Sequence, residues 1–361
     1  MDRLVTKIKC YINPRTKIGG VNLVQSLSVK YRPVTFDDVC AQKSVVLTLQ
    51  RQIELKQFKN AYLLCGASGC GKTTIARIFA NEINNHLGYP IEIDAASNNS
   101  VENIRNIVKA AQERSLDSDY KIYIIDECHC LSNQAWQAFL KCIEEPPKYT
   151  IFIFCTTDPQ KVPATILNRV MKFNISRLPA DTIKERLLYI CKAEGFYNYE
   201  EACDYISRTC NGGMRDAIAT LDKCAGYSID LSLDNILYCL DSQPLDVMFS
   251  LINAIIDGNE AQVFSIIDEI YLTGMDLKLF INQFLVFCLD LNKYILFKDL
   301  SVTSFPESYL GHVSNAINFN NADKYYGYVT SKLLKLKNSI QNELDLKSSI
   351  LVGLLEVSRC Q

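Results

Sequence analysis

Short apolar runs alternate with amphipathic segments between about residues 27 and 178. Five runs have the length and the β-branched and aromatic content of buried strands: AYLLC (61–65), IEID (91–94), KIYIID (121–126), TIFIFCTT (150–157) and MKFNI (171–175). The segments between them repeat apolar residues every three or four positions, as one face of a helix does. This alternation predicts an α/β domain with a parallel five-stranded sheet. Because the runs are almost continuously apolar, we expect helices on both faces of each strand.

Polar residues mark where several of the helices begin. Asn99-Ser-Val-Glu102 has the form of a capping box ahead of an amphipathic stretch. Asn133 and Asp181 stand in the same place ahead of two further periodic segments, and Pro146-Pro147 would end the first of these. We therefore predict N-caps at Asn99, Asn133 and Asp181.

Strand patterns stop after Leu178-Pro179, and the rest of the chain is helical in pattern. Segments such as LDVMFSLINAIID and LKLFINQFLVFCLDL are apolar enough that they must pack on one another. Residues 1–26 show weak periodicity. We predict an N-terminal extension (1–26), an α/β domain (27–178), a small helical domain (179–242) and an all-α C-terminal domain (243–361).

Composition favours a folded globular protein and excludes several classes. Apolar residues make up 48% of the 361 residues and the net charge is −2, so binding to nucleic acid through bulk charge is excluded and any such contact must be local. The 15 cysteines form no C-x-x-C pair and no apolar signal segment precedes Asp2, so we expect reduced, mostly buried thiols in an intracellular, cytoplasmic protein. The apolar runs are short for a bilayer span, and we expect no membrane contact.

The stretch GASGCGKTT fits the pattern G-x-x-x-x-G-K-[ST] and lies between a strand and a helix, where a P-loop must lie. Its glycines would let successive backbone N–H groups face the phosphates of ATP, to which the helix N-terminus adds partial positive charge. Lys72 would supply a point charge between the phosphates, and the Thr73 hydroxyl would bind Mg²⁺. The predicted nucleotide site comprises Gly66, Ala67, Ser68, Gly69, Cys70, Gly71, Lys72, Thr73 and Thr74.

Two acidic residues end the strand IYIID and complete this chemistry. Ligands of open α/β sheets bind at the carboxyl ends of the strands, where Asp126 and Glu127 stand. Asp126 suits Mg²⁺, and Glu127 suits polarisation of the attacking water. Thr157, at the end of TIFIFCTT, could sense the γ-phosphate or hold that water, although threonine is also simply common in strands.

The Cys128-His129-Cys130 triplet is a poor zinc site, because no second Cys/His cluster lies within range. A core or turn role for His129 is the favoured interpretation, and we expect no zinc. Arg215 is the second residue of a predicted helix, where the helix dipole disfavours a cation, so we expect an anionic partner. Nothing acidic lies close in sequence to Arg169, and we expect its partner to lie outside this chain.

Seven motifs occur in a shared family order between residues 31 and 218. They are YRPVTFDDV, GASGCGKTT, IEIDAASN, IYIIDECHCLS, FLKCIEEPP, CTTDPQKVPATILNR and NGGMRDAI. In these motifs the chain resembles AAA+ clamp-loader ATPase subunits, and among them the gamma/tau subunits of bacterial DNA polymerase III. The resemblance implies a AAA+ P-loop domain, a helical lid and a collar domain that joins subunits into a homo- or hetero-pentamer.

The resemblance also implies a function and residue roles. ATP binding would open a sliding clamp and grip primer–template DNA, and hydrolysis would release the closed clamp on DNA. By position, Tyr31, Arg32 and Pro33, together with Val39, would border the adenine. Thr157 would be the first sensor, Arg215 the second sensor, and Arg169 an arginine finger for the ATP of a neighbouring subunit.

The chain departs from the family pattern at several places. Arg169 lies between Asn168 and Val170 rather than within Ser-Arg-Cys, which puts the docking of that interface in doubt. The segment NNHLGYP replaces a four-cysteine zinc module, and no tau tail is expected after the collar. A phage-encoded loader would suit this short form. The DNA-facing residues would be Asn98, Asn99, Ser100, Arg105 and Lys109, although the last two also fit a solvated helix face.

Two other hypotheses remain open at the level of the sequence. One is a structural loader subunit that binds nucleotide without hydrolysing it, which the intact Lys72, Asp126 and Glu127 disfavour. The other is a different AAA+ machine, such as a branch-migration helicase or a replication-initiator loader. The phrases TTDPQKVP and IEEPP favour the clamp loader.

Overall fold

The computed structural model describes residues 25–240, 244–340, 343 and 345–358. The predicted N-terminal extension therefore lies almost wholly outside the described residues. The chain forms two compact units. The first comprises the described residues up to Ile183 together with Cys210–Asp222, and the second comprises Lys184–Thr209 and the described residues from Lys223 onwards. The four-part division at residues 26, 178 and 242 stays a prediction.

A five-stranded parallel sheet forms the centre of the first unit, which confirms the predicted α/β architecture. The strand order is β2-β3-β4-β1-β5, and each neighbouring pair is parallel. Every predicted strand is present, with bounds that differ from the prediction by one residue at most: β1 Ala61–Gly66, β2 Ile91–Asp94, β3 Lys121–Asp126, β4 Thr150–Thr156 and β5 Met171–Ile175.

The expectation that helices cover both faces of each strand holds for the three central strands and is wrong for the two edge strands. In β2, Ile91 is 40% exposed. In β5, Lys172 and Asn174 are exposed and alternate with more buried residues. An edge strand has one neighbour instead of two, and a four-residue apolar run such as IEID carries no signal that separates an edge from a centre.

Helices cover the two faces of the sheet with separate apolar layers. Successive strand residues point to opposite faces, so Leu63 of β1 belongs to one layer while Tyr62 and Leu64 belong to the other. Helices α2 and α3 supply the layer of Tyr62, and α4, α5 and α6 supply the layer of Leu63. The bounds are α1 Leu27–Lys30, α2 Lys43–Leu55, α3 Lys72–Ile83, α4 Val101–Ala111, α5 Asn133–Glu144 and α6 Ala164–Leu167.

The predicted N-caps at Asn99 and Asn133 are wrong by one residue. Ser100 caps α4, since its hydroxyl accepts a hydrogen bond from the Asn103 N–H at 3.2 Å. Ser132 caps α5 in the same way, through the N–H of Ala135. Both helices begin after consecutive residues that carry a capping oxygen, and the backbone decides which of them is used. Asp181 lies in the first turn of the next helix, which begins at Ala180.

The second unit is helical, and its helices from Leu245 onwards share one apolar core. The core includes Phe280, Phe284, Phe305 and Tyr326, all fully buried. The remaining helices of the chain are α7 Ala180–Glu194, α8 Glu200–Thr209, α9 Met214–Tyr227, α10 Leu233–Cys239, α11 Leu245–Ile256, α12 Glu260–Leu272, α13 Leu277–Phe297, α14 Leu310–Ala316, α15 Ala322–Ser339 and α16 Leu346–Ser358.

Helix α13 reaches the length and mean hydropathy of a membrane-spanning helix, alone among those of the described residues. The expectation that the apolar runs are too short to span a bilayer is therefore wrong on length. Nine α13 residues are buried within the helical unit, and α13 packs against α15 and α16. Such burial is typical of the central helix of a soluble bundle. The absence of membrane contact stays a prediction.

Candidate functional site

The P-loop lies between β1 and α3, as its sequence predicts. Gly71 precedes the first helical residue at φ +104°, and Gly69 lies at φ +73°. Residues with a side chain rarely adopt this left-handed backbone conformation, so glycine suits both positions. Gly66 serves a different purpose: a Cβ there would lie 2.3 Å from the carbonyl oxygen of Ile175 in β5. It lets two strands approach closely, and its part in phosphate binding stays a prediction.

Lys72 is the first residue of α3 and is 6% exposed. Its Nζ donates to the carbonyl oxygens of Gly66 and Ala67 at 3.0 and 2.9 Å. The ammonium group is therefore held beside the loop backbone whose N–H groups would bind phosphates. The role of Lys72 as a point charge between the phosphates of ATP stays a prediction.

The side chains of Thr73 and Asp126 are in contact at the carboxyl ends of the strands. The Thr73 hydroxyl donates to Oδ2 of Asp126 at 2.7 Å, and the Glu127 N–H donates to Oδ1 at 2.9 Å. The second bond ties the Asp126 carboxylate to the backbone of the following residue. Two hard oxygen donors from different elements thus lie side by side at the carboxyl end of β3.

Glu127 follows in the left-handed region at φ +46°, which is uncommon for a residue with a side chain. This turn brings its carboxylate towards the end of β4, where the Thr157 hydroxyl donates to Oε2 at 3.4 Å. The predicted neighbours Glu127 and Thr157 are therefore together. Residues in sparsely populated backbone conformations cluster at functional sites.

His129 belongs to this group of residues, and the sequence did not indicate it. Its Nδ1 lies 3.2 Å from Oε2 of Glu127 and 3.3 Å from the hydroxyl of Thr156. The interpretation of His129 as a core or turn residue is thus incomplete: it lies in a 3-10 turn, Cys128–Cys130, but faces the carboxylate. A histidine two residues after an acidic strand end is a weak sequence signal for this contact.

The cysteines of the triplet point to different environments. Cys128 is fully buried and Cys130 is exposed. Burial raises the pKa of the Cys128 thiol, so the thiolate form that binds metals is disfavoured. Of the 13 cysteines among the described residues, nine are buried and the rest are partly or fully exposed. That zinc is not required stays a prediction.

The site residues fit ATP and Mg²⁺. In the described part of the chain no three His, Cys, Asp or Glu side chains converge to hold a metal. Magnesium needs no such cage, because it binds through one or two protein oxygens and completes its shell with phosphate oxygens and water. The adjacent oxygens of Thr73 and Asp126 supply that small donor set.

The start of α9 lies against the P-loop. The backbone N–H of Arg215 donates to the carbonyl oxygen of Gly69 at 3.3 Å. A Cβ on Gly213 would lie 2.9 Å from a carboxylate oxygen of Asp216 and 3.4 Å from the Ser68 carbonyl oxygen, so Gly213 also lies close to the P-loop backbone. Arg215 is exposed. The backbone of Arg215 lies beside the P-loop, and the role of its side chain as a second sensor stays a prediction.

The segment predicted to border the adenine connects α1 to the 3-10 helix Phe36–Asp38. Tyr31, Arg32 and Pro33 are partly buried there, and Val39 packs against the apolar layer that contains Ile75 of α3. At the start of α1, the Leu27 N–H donates to Asp222 of α9 at 3.1 Å. The segment is thus attached to α9, which also carries Arg215.

Arg169 has a partner within this chain, so the expectation that its partner lies outside the chain is wrong as a description of the subunit. Its Nη2 lies 2.8 Å from Oε1 of Glu144, and its Nη1 donates to the carbonyl oxygen of Thr165 at 2.6 Å. Glu144 is 25 positions earlier in the sequence, which is why no local pattern indicated it. The predicted role of Arg169 as a finger stays a prediction.

The residues predicted to face DNA lie around the start of α4. Ser100 caps the helix, and the Asn98 side chain donates to the Asp94 carbonyl oxygen at 3.2 Å. Asn99, Arg105 and Lys109 are exposed. Arg105 and Lys109 are four positions apart on a helix and share a face. DNA contact by this face stays a prediction.

The chain is similar to several known DNA polymerase III subunits. The model of a family described as DNA polymerase III, delta subunit, matches residues 85–179. DNA polymerase III subunit tau of Bacillus subtilis is 34% identical over 292 residues, which are 75% of this chain and 52% of that subunit. Subunit tau of Salmonella typhimurium is 34% identical over 70% of this chain and 43% of its own length. The chain thus spans about half the length of these tau subunits.

A shorter relative and a solved structure complete the comparison. DNA polymerase III subunit gamma of Buchnera aphidicola from Acyrthosiphon pisum is 27% identical over 91% of this chain and 98% of its own length. Among solved structures, a single-residue variant of RuvB from Thermotoga maritima matches with a TM-score of 0.50 at 18% identity, over 63% of this chain and 79% of that one. This last likeness supports the AAA+ fold.

Proposed function

We propose that this chain, a AAA+ homologue of the gamma and tau subunits of bacterial DNA polymerase III, is an ATP-hydrolysing subunit of a sliding-clamp loader. One observation carries the hydrolytic part of this proposal. Thr73 of the P-loop helix, Asp126 and Glu127 at the end of β3 and Thr157 after β4 are linked by hydrogen bonds in a single site. A subunit that only bound nucleotide would not need Glu127 to be held beside Thr157.

Each residue has a defined task in the proposed reaction. Lys72 and the P-loop N–H groups bind the β- and γ-phosphates, and Thr73 and Asp126 would hold Mg²⁺. The metal would neutralise charge on the phosphate oxygens. Glu127 accepts a hydrogen bond from the attacking water and orients it, while Thr157 fixes the Glu127 carboxylate. Arg169 of a neighbouring subunit stabilises the charge that develops in the transition state.

The likeness to gamma and tau subunits supports the following proposed ATPase cycle. Subunits would assemble into a homo- or hetero-pentamer through their collar helices. With ATP bound, the assembly opens a sliding clamp and grips primer–template DNA, which the face with Arg105 and Lys109 would contact. Hydrolysis then releases the closed clamp on DNA. We place this activity in the cytoplasm, either of a bacterium or of a phage host.

Two substitutions test the proposed activity. Lys72→Ala should lose ATP binding, because the loop loses its point charge. Glu127→Gln should bind ATP and hydrolyse it at least a hundredfold more slowly, in line with about 10²–10³ for the loss of one preorganised catalytic group. Nucleotide binding and single-turnover hydrolysis would be measured on the assembled protein with primed DNA and its clamp. If primed DNA and clamp together fail to stimulate hydrolysis by the unchanged protein, the assignment as a clamp-loader motor is wrong.

A further inference from the structure

The ion pair between Arg169 and Glu144 joins two elements that pack on each other. Arg169 follows α6, and Glu144 is the last residue of α5. Ile166 before the arginine and Val170 after it belong to the same apolar layer as Ile143 beside the glutamate. The backbones on both sides of the pair are therefore anchored, while the two side chains remain 39% and 42% exposed.

The two contacts of the guanidinium use different nitrogens. Nη2 binds Glu144 and Nη1 binds the Thr165 carbonyl oxygen. A guanidinium carries five N–H donors, so three remain for an anion from outside the subunit. The planar group is held at two points, which fixes its orientation as well as its position.

Stability does not explain this arrangement. Ion pairs with this degree of exposure contribute little to folding, because solvent screens them and ordering the side chains costs entropy. The helix dipole also disfavours an acidic residue in the last turn of a helix, where Glu144 stands.

We propose that Glu144 is a positioning residue that holds Arg169 in the orientation in which it reaches the γ-phosphate of ATP in the neighbouring subunit. This rests on the proposed function, in which Arg169 acts in trans. A free arginine side chain populates many rotamers, and holding it before the subunits meet removes that ordering cost from the reaction. In this proposal Glu144 contacts neither ATP nor the attacking water.

Neutralising the carboxylate should slow the chemical step and leave substrate binding alone. Glu144→Gln retains the shape and loses the charge, and we expect kcat for stimulated hydrolysis to fall about tenfold, a part of the roughly 10³–10⁵ that an arginine finger contributes. KM for ATP and assembly should not change. Glu144→Asp, which retains the charge, should recover part of the rate. Glu145→Gln is the matched control, since it removes the same charge from the adjacent exposed residue.

Mixed assemblies show which subunit must carry Glu144→Gln for hydrolysis to slow down. Arg169→Ala subunits still bind ATP, and Lys72→Ala subunits still supply Arg169, so mixing them should restore hydrolysis. Glu144→Gln placed on the Lys72→Ala subunit should lower the restored rate about tenfold. The same change on the Arg169→Ala subunit should have no effect, because no arginine is left there to position.

The outcomes separate this inference from its premise. Equal losses from both placements, an unchanged rate or a higher rate would overturn the positioning role while leaving Arg169 as the finger. If mixing restores no hydrolysis even with Glu144 unchanged, action in trans is wrong and the inference is overturned with it. Circular dichroism of each variant excludes misfolding as the cause.

Discussion

At the scale of single residues, the site is a chain of short polar contacts that ends on the carboxylate of Glu127. Residues at the strand ends were predictable from sequence: Asp126 ends β3 and Glu127 follows it, and Thr157 directly follows the neighbouring strand β4. The contact with His129 was not predictable, because it depends on the left-handed turn at Glu127 that no periodicity reveals. The same holds for Arg169, whose partner Glu144 is brought near by packing of α5 on α6.

The position of His129 gives a prediction at this scale. Removing a donor to a charged group costs about 1.5–3 kcal/mol when the contact is made. His129→Ala should therefore lower single-turnover hydrolysis about tenfold with ATP affinity unchanged, since about 1.36 kcal/mol corresponds to a factor of ten. His129→Asn, whose amide nitrogen can take the place of Nδ1, should recover part of the rate.

His86 offers a matched control for this experiment. Its Nε2 lies 3.3 Å from Oε1 of Glu82, so it is also a histidine beside a glutamate, but at the opposite end of α3 from Lys72. His86→Ala should hydrolyse ATP at the original rate. Equal rates for His129→Ala and the unchanged protein would show that the histidine does not position Glu127.

At the scale of elements, the apolar runs predicted all five strands, and their alternation with helical segments predicted the parallel pairing. Which strands form the edges could not be predicted, since this depends on the order β2-β3-β4-β1-β5. The strand order also gives Gly66 a role that the sequence did not indicate. The P-loop pattern predicts glycine at this position for phosphate binding. The pairing of β1 with β5 adds a second reason for glycine, because the Ile175 carbonyl oxygen lies 2.3 Å from where a Cβ on Gly66 would be.

Gly66→Ala should therefore destabilise the α/β unit. The added methyl group would meet backbone, which cannot move without shifting β5, and overpacking of this kind costs about 1–3 kcal/mol. Gly226→Ala is the control: it lies in α9, nothing stands within 4 Å of its Cβ, and alanine favours the helix. Thermal unfolding followed by circular dichroism should show a lower midpoint only for Gly66→Ala. Equal midpoints would contradict the steric account.

At the scale of the whole molecule, contacts between distant segments define the two units. Residues Lys184–Thr209 belong with the C-terminal helices, although they precede them by many residues. Arg208 illustrates this, since its Nη1 donates to the carbonyl oxygens of Leu300 and Thr303 at 2.7 and 3.2 Å. A helical pattern predicts that α8 is a helix but not which unit it belongs to. Segment boundaries drawn from pattern changes therefore need the contacts to test them.

In the proposed assembly, ATP bound by one subunit is hydrolysed with the help of Arg169 from its neighbour. Mixing two inactive proteins tests this sharing of sites most directly. Arg169→Ala and Lys72→Ala subunits would be assembled separately and together, and hydrolysis stimulated by primed DNA and clamp would be measured. We expect each alone to be at least a thousandfold slower than the unchanged protein, from about 10³–10⁵ for a finger. Together they should recover a substantial fraction of the rate. A mixture no faster than its two components would contradict the account.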